Sequence, residues 1–369
     1  MKLNIVIVYG GVSLEHEVSI ITAMQILKNL DYSRYNAIPI YISKDYTMFT
    51  SNKYSNIKLY RDLDHVKRVG NVCGFIKEKD GCYLKINRIL DNKVQIDLAV
   101  LALHGSNGED GVMQGYFQAL NVPYTCSSVL SSSLIQDKTL MKQVLRFHKV
   151  STLDYSILDV NTVDYSGIEE LGYPIIIKPS TLGSSIGISI INTPNELPNK
   201  LTTALTYDNY ILAEHYYKDV REFNIAVIKD KKDYIYSNIE EVIKSDSILS
   251  YKDKYLNSNN KCSDKRIMPA KLSKANRDKV LEIAKKCTSI FRISGIIRID
   301  FMLINNKFYV NEINSIPGSL ATYLFDYSPK AIIDKLINTS IYEYKVREQL
   351  NRDYKTNILS GLNNFSIKK

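Results

Sequence analysis

Two near-continuous apolar runs, Leu3 to Tyr9 and Ile96 to Leu103, constrain the fold more than any other feature of the chain. A strand that is apolar on both of its alternating faces has no side to show to water. It belongs inside a parallel sheet covered by helices above and below. Each run ends in a turn of glycines and polar side chains, Gly10 to Glu17 and His104 to Gly111. Each turn leads into a helical pattern, about Val18 to Leu30 and Val112 to Leu120. Ala37 to Ile42 reads as another strand, Val122-Pro123-Tyr124 as a short one, and short strands are expected near 73–77 and 82–90. This alternation predicts an open α/β domain with a parallel sheet over residues 1–125.

Two further units follow. Residues 126–215 read as a compact α+β unit: a helix from Leu130 to His148, strands at Tyr173–Lys178, Ile188–Ile191 and Tyr210–Glu214, and a helix from Asn195 to Tyr207. Residues 216–369 carry strands near 222–228 and 234–238, a polar loop over 244–267, a helix from Ser273 to Phe291, a hairpin, and a helix opened by Ser328-Pro329. A chain of 369 residues with 45% hydrophobic content has room for two or three such cores.

Composition narrows the partners. The net charge of +9 is spread along the chain rather than gathered with aromatics, which argues against nucleic acid and suits a phosphorylated small molecule. Cys73, Cys82, Cys126, Cys262 and Cys287 form no CxxC pair, as expected of reduced thiols in a cytoplasmic protein. Neither a signal-like segment nor a run of 18 apolar residues occurs, so no membrane association is expected.

Chemistry concentrates late. Gly295–Phe301 and Tyr309–Gly318 read as a hairpin closed by a three-residue turn, Asn305-Asn306-Lys307. That turn sets Asp300 opposite Glu312 and Arg298 opposite Asn314. Facing carboxylates destabilise a ladder by up to about 1 kcal/mol. The face is either exposed surface with scattered polar residues, or a divalent-cation site with Asn314 as a third oxygen ligand. In the second case Arg298 offers a fixed charge for phosphate or a developing oxyanion.

Other segments have the same two-sided character. The turn Ser180–Gly187 lies between strands, unlike a Walker loop, yet its small residues let backbone N–H groups close over a phosphate beside Lys178. An ordinary flexible hairpin is the competing reading. The Gly10–Glu17 turn lacks GxGxxG and suits an ammonium group or polar substrate; loops at that sheet edge bring Glu15, His104 and Glu109 together. Glu214 and Glu222, at a strand end and the next strand start, form either a rim for a nucleoside or ordinary surface carboxylates.

Taken in order, GGVSLEHEVS (10–19), LHGSNGEDGVMQG (103–115), Asp137-Lys138, KPSTLGSSIG (178–187), YKDKY (251–255), RID (298–300) and NEINSIPG (311–318) resemble the D-alanine–D-alanine ligase family of the ATP-grasp superfamily. The resemblance runs from Ile5 to about Gly318. It implies a three-domain ATP-grasp fold that phosphorylates one D-alanine carboxylate with ATP and lets a second D-amino acid's amine attack the acyl phosphate. Glu109, Lys138, Lys178, Ser184, Ser185, Glu214, Glu222 and Lys254 would hold ATP. Asp300, Glu312 and Asn314 would ligate two Mg²⁺ ions, with Mn²⁺ as a substitute. Glu15, Ser184, Tyr255 and Arg298 would be catalytic, and Glu15, His104, Ser319 and Tyr323 would contact substrate. A homodimer is implied as well. Where family members continue with Gly-Phe/Met-Thr and then a serine, this chain has Ser319-Leu320-Ala321-Thr322-Tyr323, so its acceptor pocket departs from the pattern. The Glu214–Glu222 spacing is also one residue longer. Tyr255 argues for an amine acceptor over D-lactate. A sibling ligase using D-serine and a non-catalytic nucleotide-binding paralogue are the alternatives.

Overall fold

The computed structural model describes residues 2–87, 92–160, 165–218, 220–243, 265–351, 353–354 and 356, whose strands form three sheets. The first has the order β6-β5-β4-β3-β2-β1-β7. Its strands are β1 (Leu3–Gly10), β2 (Tyr35–Ile42), β3 (Met48–Thr50), β4 (Asn71–Glu78), β5 (Gly81–Ile86), β6 (Asn92–Gln95) and β7 (Leu98–Leu101). Only β2-β1-β7 is parallel, and Ile5 to Tyr9 at its centre are fully buried. The expectation of a parallel sheet is corrected for β3–β6, which pair antiparallel. The β4–β5 connection is too short for a crossover: Glu78 pairs with Gly81, leaving two residues to turn the chain. Gly10 ends β1 at φ 91°, where a Cβ would sit 2.3 Å from the Ile42 carbonyl oxygen. No other residue lets the chain leave the sheet there.

The second sheet, β10-β9-β11-β8, is antiparallel and comprises β8 (Tyr155–Asp159), β9 (Ile175–Pro179), β10 (Ser189–Ile191) and β11 (Tyr210–His215). Ile175, Ile177, Ile191, Leu197, Leu201 and Ile211 form its core.

The third has the order β14-β13-β12-β15-β16, from β12 (Arg221–Asp230), β13 (Asp233–Ile243), β14 (Lys265–Ile267), β15 (Ile296–Ile304) and β16 (Lys307–Asn314). Part of the expected 244–267 loop is thus a strand, and residues 244–264 lie outside the described residues. Phe223, Ile225, Val227, Ile297, Ile299 and Phe301 cover one face and pack on the helix Lys274–Ile290. Ile135, Met141 and Leu145 join the same core. Glu222, Asn224, Arg298 and Asp300 fall on the opposite face, because strand side chains alternate.

Two local corrections shape that face. The hairpin turn has two residues, Asn305 and Asn306, both left-handed, with Ile304 paired to Lys307. A bulge at Asn311 then absorbs one residue, so Asp300 still faces Glu312 and Arg298 still faces Asn314. The expected helix from 130 to 148 breaks into Val129–Gln136 and Lys138–Phe147. Asp137 breaks it by capping: its Oδ1 accepts from the Thr139 and Leu140 amides at 2.8 and 3.1 Å. The break brings Lys138 to the first position of the second helix.

The first and third sheets share a core. Ile332, Ile333, Leu336 and Ile337 of the helix Pro329–Glu348 cluster with Ile5, Ile7, Ala226, Ile228 and Ile296. Among the described residues no helix is long and apolar enough to cross a membrane.

Candidate active site

The polar face of the third sheet forms the floor of a cleft lined by Glu15, His104, Glu109, Lys138, Ser184, Arg298, Glu312 and Asn314 among others. Arg298 grips Asp300 bidentately, Nε to Oδ1 and the second guanidinium nitrogen to Oδ2, both at 2.6 Å. Asn314 Nδ2 donates to Asp300 Oδ2 at 3.3 Å. Burial pushes the Asp300 carboxyl up to about 6, with Glu312 adding to the rise and Arg298 opposing it. Arg298 itself, although burial works against its charge, is held firmly protonated by Asp300.

This donor set suits a hard divalent cation. Two crowded carboxylates compete for a proton that such a cation would displace, and Asn314 turns an amide toward the same point. Among the described residues no group of three or more His, Cys, Asp or Glu is placed to hold a metal. A cation held by Asp300, Glu312 and Asn314 would fill its remaining positions with waters or substrate oxygens, as Mg²⁺ usually does.

Beside the floor lies a buried charge network. Glu214, fully buried, receives Lys178 Nζ at 2.7 Å on one oxygen and Lys142 Nζ at 2.8 Å on the other. Lys178 also donates to Asn311 at the bulge, 3.3 Å away. Burial raises the Glu214 carboxyl, but the two lysines outweigh it and hold it down at about 2. Glu214, expected at a nucleoside rim, is thus buried with an ion pair to a lysine at each oxygen. Glu222, half-buried, lies opposite Met302 on the same face as Asp300. Lys142 escaped sequence reasoning. Its signal was helical spacing, since Lys138, Lys142 and Leu145 share one buried stripe.

Above the cleft, the 180–187 loop is pressed down. Ser184 Oγ donates to a Glu15 carboxylate oxygen, and Lys138 Nζ donates to the Leu182 carbonyl. Gln136 Nε2 donates to the Thr181 carbonyl at 2.5 Å. A Cβ at Gly183 would stand 2.9 Å from Glu15 Oε2 and would push the Glu15 carboxylate aside. Ser184 and Ser185 both adopt left-handed backbone, φ 53° and 60°. Tyr255 and Lys254, expected at this site, lie outside the described residues.

Glu15, His104 and Glu109 do converge at the sheet edge. Glu109 accepts from the Gly105 amide at 2.9 Å and the Ile316 amide at 3.2 Å. Burial, and then Glu15, push its carboxyl up to about 8. Glu109, expected at ATP, ties the 105 turn to the 316 turn through its two oxygens. Burial drives His104 down to about 4, so its ring is neutral. Past the floor, Tyr323 Oη donates to Glu240 at 3.2 Å, and Arg266 reaches Glu240 at 3.4 Å while its guanidinium lies 5.2 Å from the Tyr323 ring centre. Ser319 begins the turn that leads to Tyr323. Glu240 and Arg266 carry no motif and were not legible in the sequence.

A strand-to-strand glycine loop folded down over buried lysines and a carboxylate floor belongs to the ATP-grasp class of ligases. Residues 4–127 match the family model described as D-ala D-ala ligase N-terminus, and residues 144–337 match the one described as D-ala D-ala ligase C-terminus. The D-alanine–D-alanine ligase of Thermosipho melanesiensis is 37% identical over 97% of this chain and 98% of its own. The structure of the D-alanine–D-alanine ligase from Coxiella burnetii superposes with a TM-score of 0.80 over 94% of this chain and 96% of that one, at 24% identity. The Bacillus anthracis ligase complexed with ATP gives 0.67 over 94% and 99%, at 25% identity. The chain belongs to the D-alanine–D-alanine ligase family.

Proposed function

We infer that the protein joins two D-alanine molecules at the expense of ATP, through an acyl phosphate, supplying the dipeptide for peptidoglycan precursor synthesis in the cytoplasm. The observation that carries this reading is the Ser184–Glu15 contact, which seals the glycine loop against the acidic turn directly above the Arg298–Asp300–Glu312 floor.

The parts divide the labour. The Glu15 carboxylate is suited to the ammonium group of the first D-alanine and leaves its carboxylate facing the cleft. Lys138 and Lys178 meet the phosphate oxygens, with Lys178 aimed by Glu214 and Asn311. Divalent cations held by Asp300, Glu312 and Asn314 supply charge neutralisation on those oxygens. The carboxylate oxygen attacks the terminal phosphorus and ADP leaves. An acyl phosphate hydrolyses in water, so the closed loop protects it. The second amine then attacks the acyl carbon; Arg298 stabilises the oxyanion that forms, and phosphate departs.

Phosphate release with ATP and D-alanine, against a panel of D-amino and D-hydroxy acids as acceptor, tests the reading. Release is expected with D-alanine as acceptor. No release with any pair would overturn the ligase reading, and preference for D-serine or D-lactate would overturn the acceptor.

A further inference from the structure

Three consecutive residues after Gly318 hold left-handed backbone: Ser319, Leu320 and Ala321, at φ 56°, 51° and 45°. None is glycine, and each Cβ disfavours the conformation, so the turn persists only where its surroundings impose it. Leu320 and Ala321 are clamped by burial in the core shared with the first sheet. Ser319, at the start, is held through its backbone. Its amide donates to Thr22 Oγ1 at 3.2 Å.

Thr22 is fully buried on the helix His16–Asn29, and its Oγ1 also lies 2.8 Å from His104 Nε2. A threonine hydroxyl has one hydrogen to give. The Ser319 amide occupies one lone pair of the oxygen and leaves the hydrogen and the second lone pair for Nε2, so the far side of the ring decides: a ring proton there, on Nδ1, makes Nε2 the acceptor. The other side of the ring meets the Ile316 backbone, in an interaction that favours the protonated ring and so marks a carbonyl as its partner. Ser319 and Ile316 bracket Pro317 and Gly318. The two ends of this turn are therefore tied to one hydroxyl–imidazole pair supplied by the first domain.

We propose that Thr22 is a positioning residue for the acceptor amino acid, holding the left-handed Ser319–Ala321 turn through its own oxygen and through His104. The proposal rests on the reading that residues 319–323 border the acceptor site. Thr22 touches no substrate. The far end of the segment is pinned independently, by the Tyr323–Glu240 hydrogen bond. What Thr22 adds is the orientation of the near end, next to Gly318 at the cleft wall. The relay needs an uncharged imidazole, and burial keeps His104 neutral at working pH.

Thr22→Val keeps the shape and deletes the hydroxyl, whereas Thr22→Ser keeps the hydroxyl. Nitrogen NMR of the histidine ring in the full-length protein should show His104 with its proton on Nδ1, a preference that Thr22→Val loses. In steady-state kinetics Thr22→Val should raise KM for the second D-alanine roughly tenfold, the scale of one lost hydrogen bond. KM for ATP should stay at the wild-type value, and Thr22→Ser should restore the acceptor KM. An unchanged tautomer in Thr22→Val would overturn the relay. A changed tautomer with an unchanged acceptor KM would overturn the placement of the acceptor beside this turn, while leaving ligase activity in place. A parallel rise in KM for ATP would reduce Thr22 to a general packing role.

Discussion

Lys142→Met is the most informative perturbation of the charge network. The side chain of Lys142 is 1% exposed, and its only ionic partner among the described residues is Glu214, at 2.8 Å. Methionine keeps most of the apolar stem and deletes the charge. In the wild type the Glu214 carboxyl sits at about 2 instead of 4.5. Because this folded value is depressed, the stability it carries is present above the unfolded value and lost as pH falls through the folded one. A shift of that size corresponds to about 3 kcal/mol. With Lys142 gone, burial still raises Glu214 while Lys178 alone opposes it, so most of that stabilisation goes. Breaking a buried pair from one side costs roughly 3–5 kcal/mol in general, which agrees. Urea unfolding at pH 7 should therefore show a loss of about 3 kcal/mol, shrinking as pH is lowered below 4.5. The double variant Lys142→Met/Glu214→Gln should lose less than the sum of its parts, since the stranded carboxylate is gone. A Lys142→Met protein within about 1 kcal/mol of wild type at pH 7 would refute the reasoning.

Three further outcomes follow from the site. Arg298→Ala should lower turnover by roughly two or more orders of magnitude with nucleotide binding intact, and near-normal turnover would remove Arg298 from oxyanion stabilisation. Asp300→Asn should weaken Mg²⁺-dependent ATP binding in calorimetry; unchanged binding would contradict the metal assignment. Glu109 has a raised folded value, about 8 against 4.5, so the folded chain holds a proton that the unfolded chain has already released. Stability should fall as pH rises from 4.5 to 8, and Glu109→Gln should flatten that fall in urea midpoints. Parallel pH profiles for the two proteins would show that Glu109 is ionised in the fold.

Much of the floor was legible because strand alternation is strict. Once β15 and β16 are read as a hairpin, Arg298, Asp300, Glu312 and Asn314 must share a face. The turn length was misread, yet the bulge at Asn311 compensated for it one residue later. A bulge has no local sequence signature here, and its position is set by Lys178 and the second sheet as much as by β16. Lys142 and Glu214 were opaque for a different reason. A lysine and a glutamate far apart in sequence each look like surface, and only the packed core reveals that they neutralise each other. Glu240, Arg266 and Thr22 were invisible in the same way, because each acts through a residue remote in sequence.

The same electrostatics explains why the site is built at a cost to the free protein. Asp300 and Glu312 crowd each other, Glu109 and Glu15 repel, and Lys138 is drawn below its ordinary value by burial, with Lys178 adding to the fall. Burial or a like charge works against the ionised form at these groups, and Glu15, Glu109, Glu312 and Lys138 line one cleft. A triphosphate with its cations would offset the lysines and the floor, and an ammonium group would offset Glu15. Ligands that relieve repulsion bind the folded state alone and must stabilise it. The hydrophobic face of the third sheet carries the opposite assignment: Phe223, Ile225, Ile299 and Phe301 are packed without regard to ligand. One sheet thus separates the two demands by face, with rigidity behind and unresolved charge in front. The only strained backbone at the acceptor end, Ser319 to Ala321, is anchored to the rigid side through Leu320 and Ala321 and to the reactive side through Thr22 and His104.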